Sequence, residues 1–130
     1  MTTNTLKFDD LIKRAKKGTN EDWDFVDTNL SGFLSFEYVD WALRGGLINP
    51  DGNVRDLAAT LLARSDVEID PVDLSWMAGF METDPNDFVR HWLANALYKR
   101  GNRSGLTVLL VKEASEKDTP AGEFARNLRK

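Results

Sequence analysis

The sequence predicts an all-α protein in which helical hairpins stack as a solenoid. Three observations predict it. Apolar residues recur at helical spacing in nearly every segment. Helix start and stop signals punctuate the chain at short intervals. A unit of about 35 residues is used three times, which is the mark of a repeat architecture.

The elements are taken in chain order. Phe8, Leu11, Ile12 and Ala15 share one helical face, and Gly18 ends it. Thr19 followed by Asp22 has the spacing of a capping box. Trp23, Phe25, Val26 and Leu30 belong to the helix it opens. Ser31-Gly32 opens the next segment, with Phe33, Leu34, Phe36, Val39, Trp41, Ala42 and Leu43 apolar, and Gly45-Gly46 closes it. Asn49-Pro50-Asp51 is a turn and cap, after which Val54, Leu57, Ala58, Leu61 and Leu62 form an unbroken stripe.

Asp70-Pro71-Val72-Asp73 is a second start signal. Asp70 can accept from a free N–H, Pro71 sits where none is needed, and Asp73 favours the positive helix end. A short helix with Val72, Leu74, Trp76, Met77 and Phe80 comes next. The same arrangement is expected at Asp84-Pro85-Asn86-Asp87, opening the clearest helix: Phe88, Val89, Trp92, Leu93, Ala96 and Leu97, ended by Gly101. Ser104-Gly105 and Thr119-Pro120 open the last two. Leu106–Val111 has β-propensity, but Ser-Gly before it and Lys112, Glu113, Ala114 and Glu116 after it argue for helix.

The apolar-Arg pairs Val54-Arg55, Val89-Arg90 and Ala125-Arg126 lie 35 and 36 residues apart. This assigns repeats to 31–66, 70–101 and 104–130, with 1–30 as an N-terminal cap, all in one domain of 130 residues. From Asp84 onward the chain resembles HEAT repeats, especially the short kind of phycobilisome-lyase-type proteins. The inner helix of that family reads roughly Asp-Pro-x-x-Val-Arg-x-x-Ala-x-x-Ala-Leu. Asp84, Pro85, Val89, Arg90, Ala96 and Leu97 match it, with two residues rather than one between Asn86 and Val89. Asp51, Val54, Arg55, Ala58 and Leu61 match in the unit before, and Asp118, Pro120, Ala125, Arg126 and Leu128 in the unit after. The resemblance implies a right-handed α-α superhelix over residues 31–130. Arg55, Arg90 and Arg126 are then read as a structural ladder between repeats rather than as ligand contacts.

Composition excludes several functions. No Cys means no disulfide, thiolate metal site or cysteine catalysis, and the single His, His91, cannot build a conventional zinc site. A formal net charge of −4, with basic residues in local groups, argues against a nucleic-acid partner. No apolar run reaches the roughly 20 residues of a membrane span. The start MTTNTLKFDD has no apolar secretory core, so a cytoplasmic location is expected. Asp27, Asn29 and Ser31, with Gly32 and Leu34, imitate a calcium loop, but Tyr38 holds the place that needs a bidentate Glu. The carboxylate pairs Asp9-Asp10, Glu21-Asp22 and Glu82-Asp84 are read as helix starts and solvated faces, since none sits in an apolar segment. No phosphate-binding glycine loop is present.

Trp76 and Trp92 are expected in the core, whereas Trp23, Trp41, Tyr38 and Tyr98 could border a groove. The expectation is therefore a non-catalytic HEAT-like adaptor with a protein partner, without metal, cofactor, nucleic acid or membrane. The alternative is an enzyme of the HEAT-like class, of bilin-lyase or DNA-glycosylase type; a degenerate calcium binder ranks below both.

Overall fold

A computed structural model describes residues 6–130; the first five residues of the expected N-terminal cap lie outside it. Among the described residues eight α-helices succeed one another: α1 Phe8–Lys17, α2 Asn20–Asn29, α3 Phe36–Trp41, α4 Gly52–Arg64, α5 Pro71–Thr83, α6 Asp87–Lys99, α7 Gly105–Ser115 and α8 Pro120–Leu128. No strand occurs among the described residues, and Leu106–Val111 lies within α7.

Most helix ends are held by the residues that signal them. Gly18 closes α1 in the left-handed region at φ 71°, donating its N–H to Arg14. The side chains of Thr19, Asp51, Asp70, Ser104 and Thr119 accept first-turn N–H groups of α2, α4, α5, α7 and α8. Gly101, at φ 95°, comes just after α6.

Two expected boundaries are corrected. The segment after Ser31 does not begin as an α-helix. Leu30–Phe33 is a 3₁₀ turn, and α3 starts at Phe36, where the Ser35 carbonyl accepts from Tyr38 and Val39. Its end widens into a π turn over Ala42–Gly46. Gly46 lies against α4 so closely that a Cβ there would meet the Ala58 methyl at 2.6 Å, and the absence of a side chain permits that approach. The second correction concerns Asp84-Pro85-Asn86-Asp87, which does not repeat the earlier start. Asn86, not Asp84, caps α6, accepting from Phe88 at 2.8 Å. Asp84 lies just past the end of α5, accepts from Asn86 N–H at 2.8 Å, and pairs with Arg55.

The helices pack as neighbours in sequence and as alternate neighbours: α4 on α6, α6 on α8, with α5 and α7 flanking α6. This places α4 and α6 at the centre, where Leu57–Ala63 and His91–Leu97 are buried without interruption. Residues on α3 through α8 share the main core, and a smaller cluster of Leu11, Ala15, Val26, Leu30, Phe33 and Leu57 seats the N-terminal pair. Tyr38 and Trp41 belong to the join. The Phe8 ring stands 4.8 Å from Trp41 and 5.0 Å from Tyr38. Trp92 is buried as expected, edge-on to Phe124. Trp76 is not; it is 45% exposed on α5, stacked edge-on with Phe80, its indole N–H donating to the Leu43 carbonyl at 2.9 Å. Val72, one turn earlier, is exposed as well, so this face of α5 is only partly covered.

Candidate acidic and aromatic cleft

In the N-terminal pair, α1 carries the main contact with α4. Between α2 and the ends of the later helices lies a cleft of about 460 Å³. Four segments line it: Asn20, Trp23, Asp24 and Asp27 from α2; Asn53, Asp56 and Thr60 from α4; Phe88 and Trp92 from α6; and Asp118–Ala121 at the start of α8. Gly18 completes the rim. Thus α2, α4, α6 and the start of α8 build one surface. The volume falls in the ~300–1,000 Å³ range of sites that enclose a ligand.

Its charge is one-sided. Asp24, Asp27, Asp56 and Asp118 line it, and no lining residue is basic. Burial pushes the Asp56 carboxyl up to about 7, and the nearby charges of Asp27 and Asp84 add to the rise against the Thr60 hydrogen bond. Burial also raises Asp27, with Arg64 opposing it and Asp24 reinforcing it. The Arg64 guanidinium lies 5.3 Å from the Trp92 ring centroid, and its buried Nε finds no acceptor among the described residues. One aromatic wall of the cleft therefore already faces a guanidinium.

The cleft's two hydroxyls are engaged locally. Thr60 Oγ1 donates to the Asp56 carbonyl at 2.7 Å, and Thr119 Oγ1 accepts from Gly122. Beneath the α8 side, fully buried Asn95 donates to the Ala121 carbonyl at 3.0 Å and fixes that edge.

The three arginines singled out by the repeat are not brought together. Arg55 donates to Asp84 at 2.8 Å and to the Asn49 and Pro50 carbonyls. Arg90 donates to the Met81 carbonyl and Arg126 to those of Ser115 and Lys117. Each reaches back to the end of the preceding helix or the loop beyond it; of the three, Arg55 also pairs with an acid of the following hairpin. A second ion pair between those hairpins is bidentate, Arg44 to Asp73 at 2.7 and 3.0 Å.

His91 is buried, with Nε2 3.0 Å from Glu113 Oε1. The imitation calcium loop takes another shape: Asp27 and Asn29 lie in α2, Asn29 donates to the Phe25 carbonyl, and Ser31 is in the 3₁₀ turn. Asp27 contributes to the cleft instead. Asp56 is missed when carboxylates are weighed in pairs; its signal is a lone acid directly before the apolar run Leu57-Ala58-Ala59. No helix among the described residues is long and apolar enough to cross a membrane. No protein-family model, curated protein or solved structure matches the chain.

Proposed function

We propose that this protein is a HEAT-like adaptor whose stacked hairpins form a right-handed solenoid and dock a protein partner in the acidic and aromatic cleft. The observation that carries this reading is the lining itself: residues from four successive segments, from Asn20 to Ala121, contribute to one recess. A recess shared between hairpins is the binding surface a repeat architecture provides. Half-exposed Phe88 at its border is the kind of aromatic anchor that dominates interfaces. Carboxylates in the lining disfavour a phosphate backbone, which weighs against the DNA-glycosylase alternative.

The test is photo-crosslinking in cells of the source, with a benzophenone amino acid at Phe88 or at Leu109, which is exposed on α7 away from the cleft. A discrete adduct from position 88, absent from 109 and competed away by unlabelled protein, is expected. Indistinguishable adducts from both positions, or none from 88, refute the reading.

One observation favours an enzyme as a second reading. A carboxyl brought to about 7 inside a cleft suits general acid–base work. Against it, the shorter hydrogen bond of Thr60 Oγ1 goes to the Asp56 carbonyl, at 2.7 Å against 3.3 Å to Asp56 Oδ1, and Thr119 Oγ1 is engaged by the Gly122 N–H.

A further inference from the structure

A partner docked in the cleft, on the adaptor reading proposed above, must suit the chemistry of its walls. Their negative charge calls for a cation. Among the described residues, no group of three or more acidic or histidine side chains is gathered closely enough to hold a metal ion. The carboxylates are spread across a recess walled by Trp23, Phe88 and Trp92. Separated anions between aromatic rings suit a broad, weakly hydrated cation that can meet a ring face and hydrogen-bond at its edge. A guanidinium has that shape and an ammonium does not. The chain itself supplies a precedent, since Arg64 sets its guanidinium against Trp92.

We propose that the cleft receives an arginine side chain from an extended, basic segment of the protein partner, held between Trp23 and the carboxylates of Asp24 and Asp27. Flanking basic residues of the segment meet Asp118 at the α8 side. The preference for arginine over lysine comes from ring stacking, while the net attraction comes from charge, so the two contributions respond differently to salt.

The experiment measures fluorescence anisotropy of labelled oligo-arginine, oligo-lysine and oligo-glutamate peptides against the full chain, with free arginine amide as competitor. Oligo-arginine is expected to bind about fivefold or more tightly than oligo-lysine, and Trp23→Ala to remove most of that difference. Asp24→Asn with Asp27→Asn is expected to weaken oligo-arginine about tenfold at low salt and much less at ~0.5 M salt. The exposed pair Glu37→Gln with Glu82→Gln, outside the cleft, removes the same two negative charges from the whole and is expected to leave binding within about twofold. Thermal melts confirm that each variant is folded, and Asp24→Asn alone, at an exposed position, provides a second test of the cleft.

Equal binding of oligo-lysine, no binding of oligo-arginine, or equal losses in the cleft and control pairs overturns the proposal. Free arginine amide competing as well as the peptide overturns the polypeptide occupant. If oligo-arginine fails while position 88 still yields its specific adduct, this inference falls and the adaptor reading stands. Absence of that adduct refutes the adaptor reading whatever the peptides do.

Discussion

Replacing Asp56 by Asn separates the burden of a buried charge from the shape of the side chain. The folded carboxyl titrates at about 7, against an ordinary value of 3.8. The gap is about three units, and at ~1.4 kcal/mol per unit it sets a ceiling of about 4 kcal/mol. The folded state holds this proton more tightly than the unfolded chain. The associated stability is therefore complete below the unfolded value of 3.8 and is lost as pH rises to the folded value near 7. Asp56 retains partial solvent contact, which reduces the realised effect below the ceiling. A third of it, about 1 kcal/mol, still shifts the melting temperature by several degrees.

Asn keeps the size and neutral charge of the protonated acid and can still meet Thr60 Oγ1, which lies 3.3 Å from Oδ1. Asp56→Asn should therefore match the wild type in urea denaturation near pH 4. It should gain about 1–4 kcal/mol over it near pH 8. Other titrating groups, including Asp27, remain in both proteins, so most of their contribution drops out of the difference. Parallel stability curves for the two proteins from about pH 4 to pH 8 would refute the reasoning, because no proton would then link folding to this residue.

Removing Arg55 leaves the Asp84 carboxylate, 2% exposed, without its ion partner, so Arg55→Ala should lose about 3–5 kcal/mol in urea denaturation; a loss under 1 kcal/mol refutes that dependence. Gly122→Ala should cost about 1–3 kcal/mol in the same assay, because the added methyl would run into the Ala114 and Lys117 carbonyls. Asp70→Ala removes the acceptor of the Asp73 N–H, 2.9 Å away, and should cost about 1 kcal/mol, read as a melting shift of several degrees; an unchanged melt refutes the cap.

Local signals carry the helices well. Thr19, Asp51, Asp70, Ser104 and Thr119 act as caps because capping is decided within three residues, a range over which sequence spacing and spatial distance are tied. Asp84-Pro85-Asn86-Asp87 shows where that logic stops. It has the same Asp-Pro start as Asp70-Pro71-Val72-Asp73, yet α6 opens at Asp87, so two caps compete. Asp84 is drawn into a pair with Arg55, 29 positions away, leaving Asn86 to cap. A tertiary ion pair thus accompanies a choice between two locally plausible starts. Trp76 departs from expectation for a related reason: how far α5 is covered is a property of its neighbours rather than of the segment.

The cleft is legible in the sequence only in pieces. Trp23 stands out as a possible groove residue, Asp27 as part of a calcium-loop imitation, Trp92 as core and Asp118 as a repeat position; Asp56 stands out as nothing in particular. Their residue types already hold the chemistry, but their convergence depends on how α2, α4, α6 and α8 are placed, over about a hundred positions of chain. Periodicity reports which face of a helix is apolar and says nothing of how far apart two faces stand. An acid at the margin of such a face is therefore ambiguous in sequence. At full exposure it is a solvated carboxylate with an ordinary titration. Desolvated at the wall of the cleft, as Asp56 is, it retains its proton toward neutrality and strengthens the demand for a cation once ionised. The distance between helices decides which, and that distance is what the residues buried between α1 and α4 and between α4 and α6 establish.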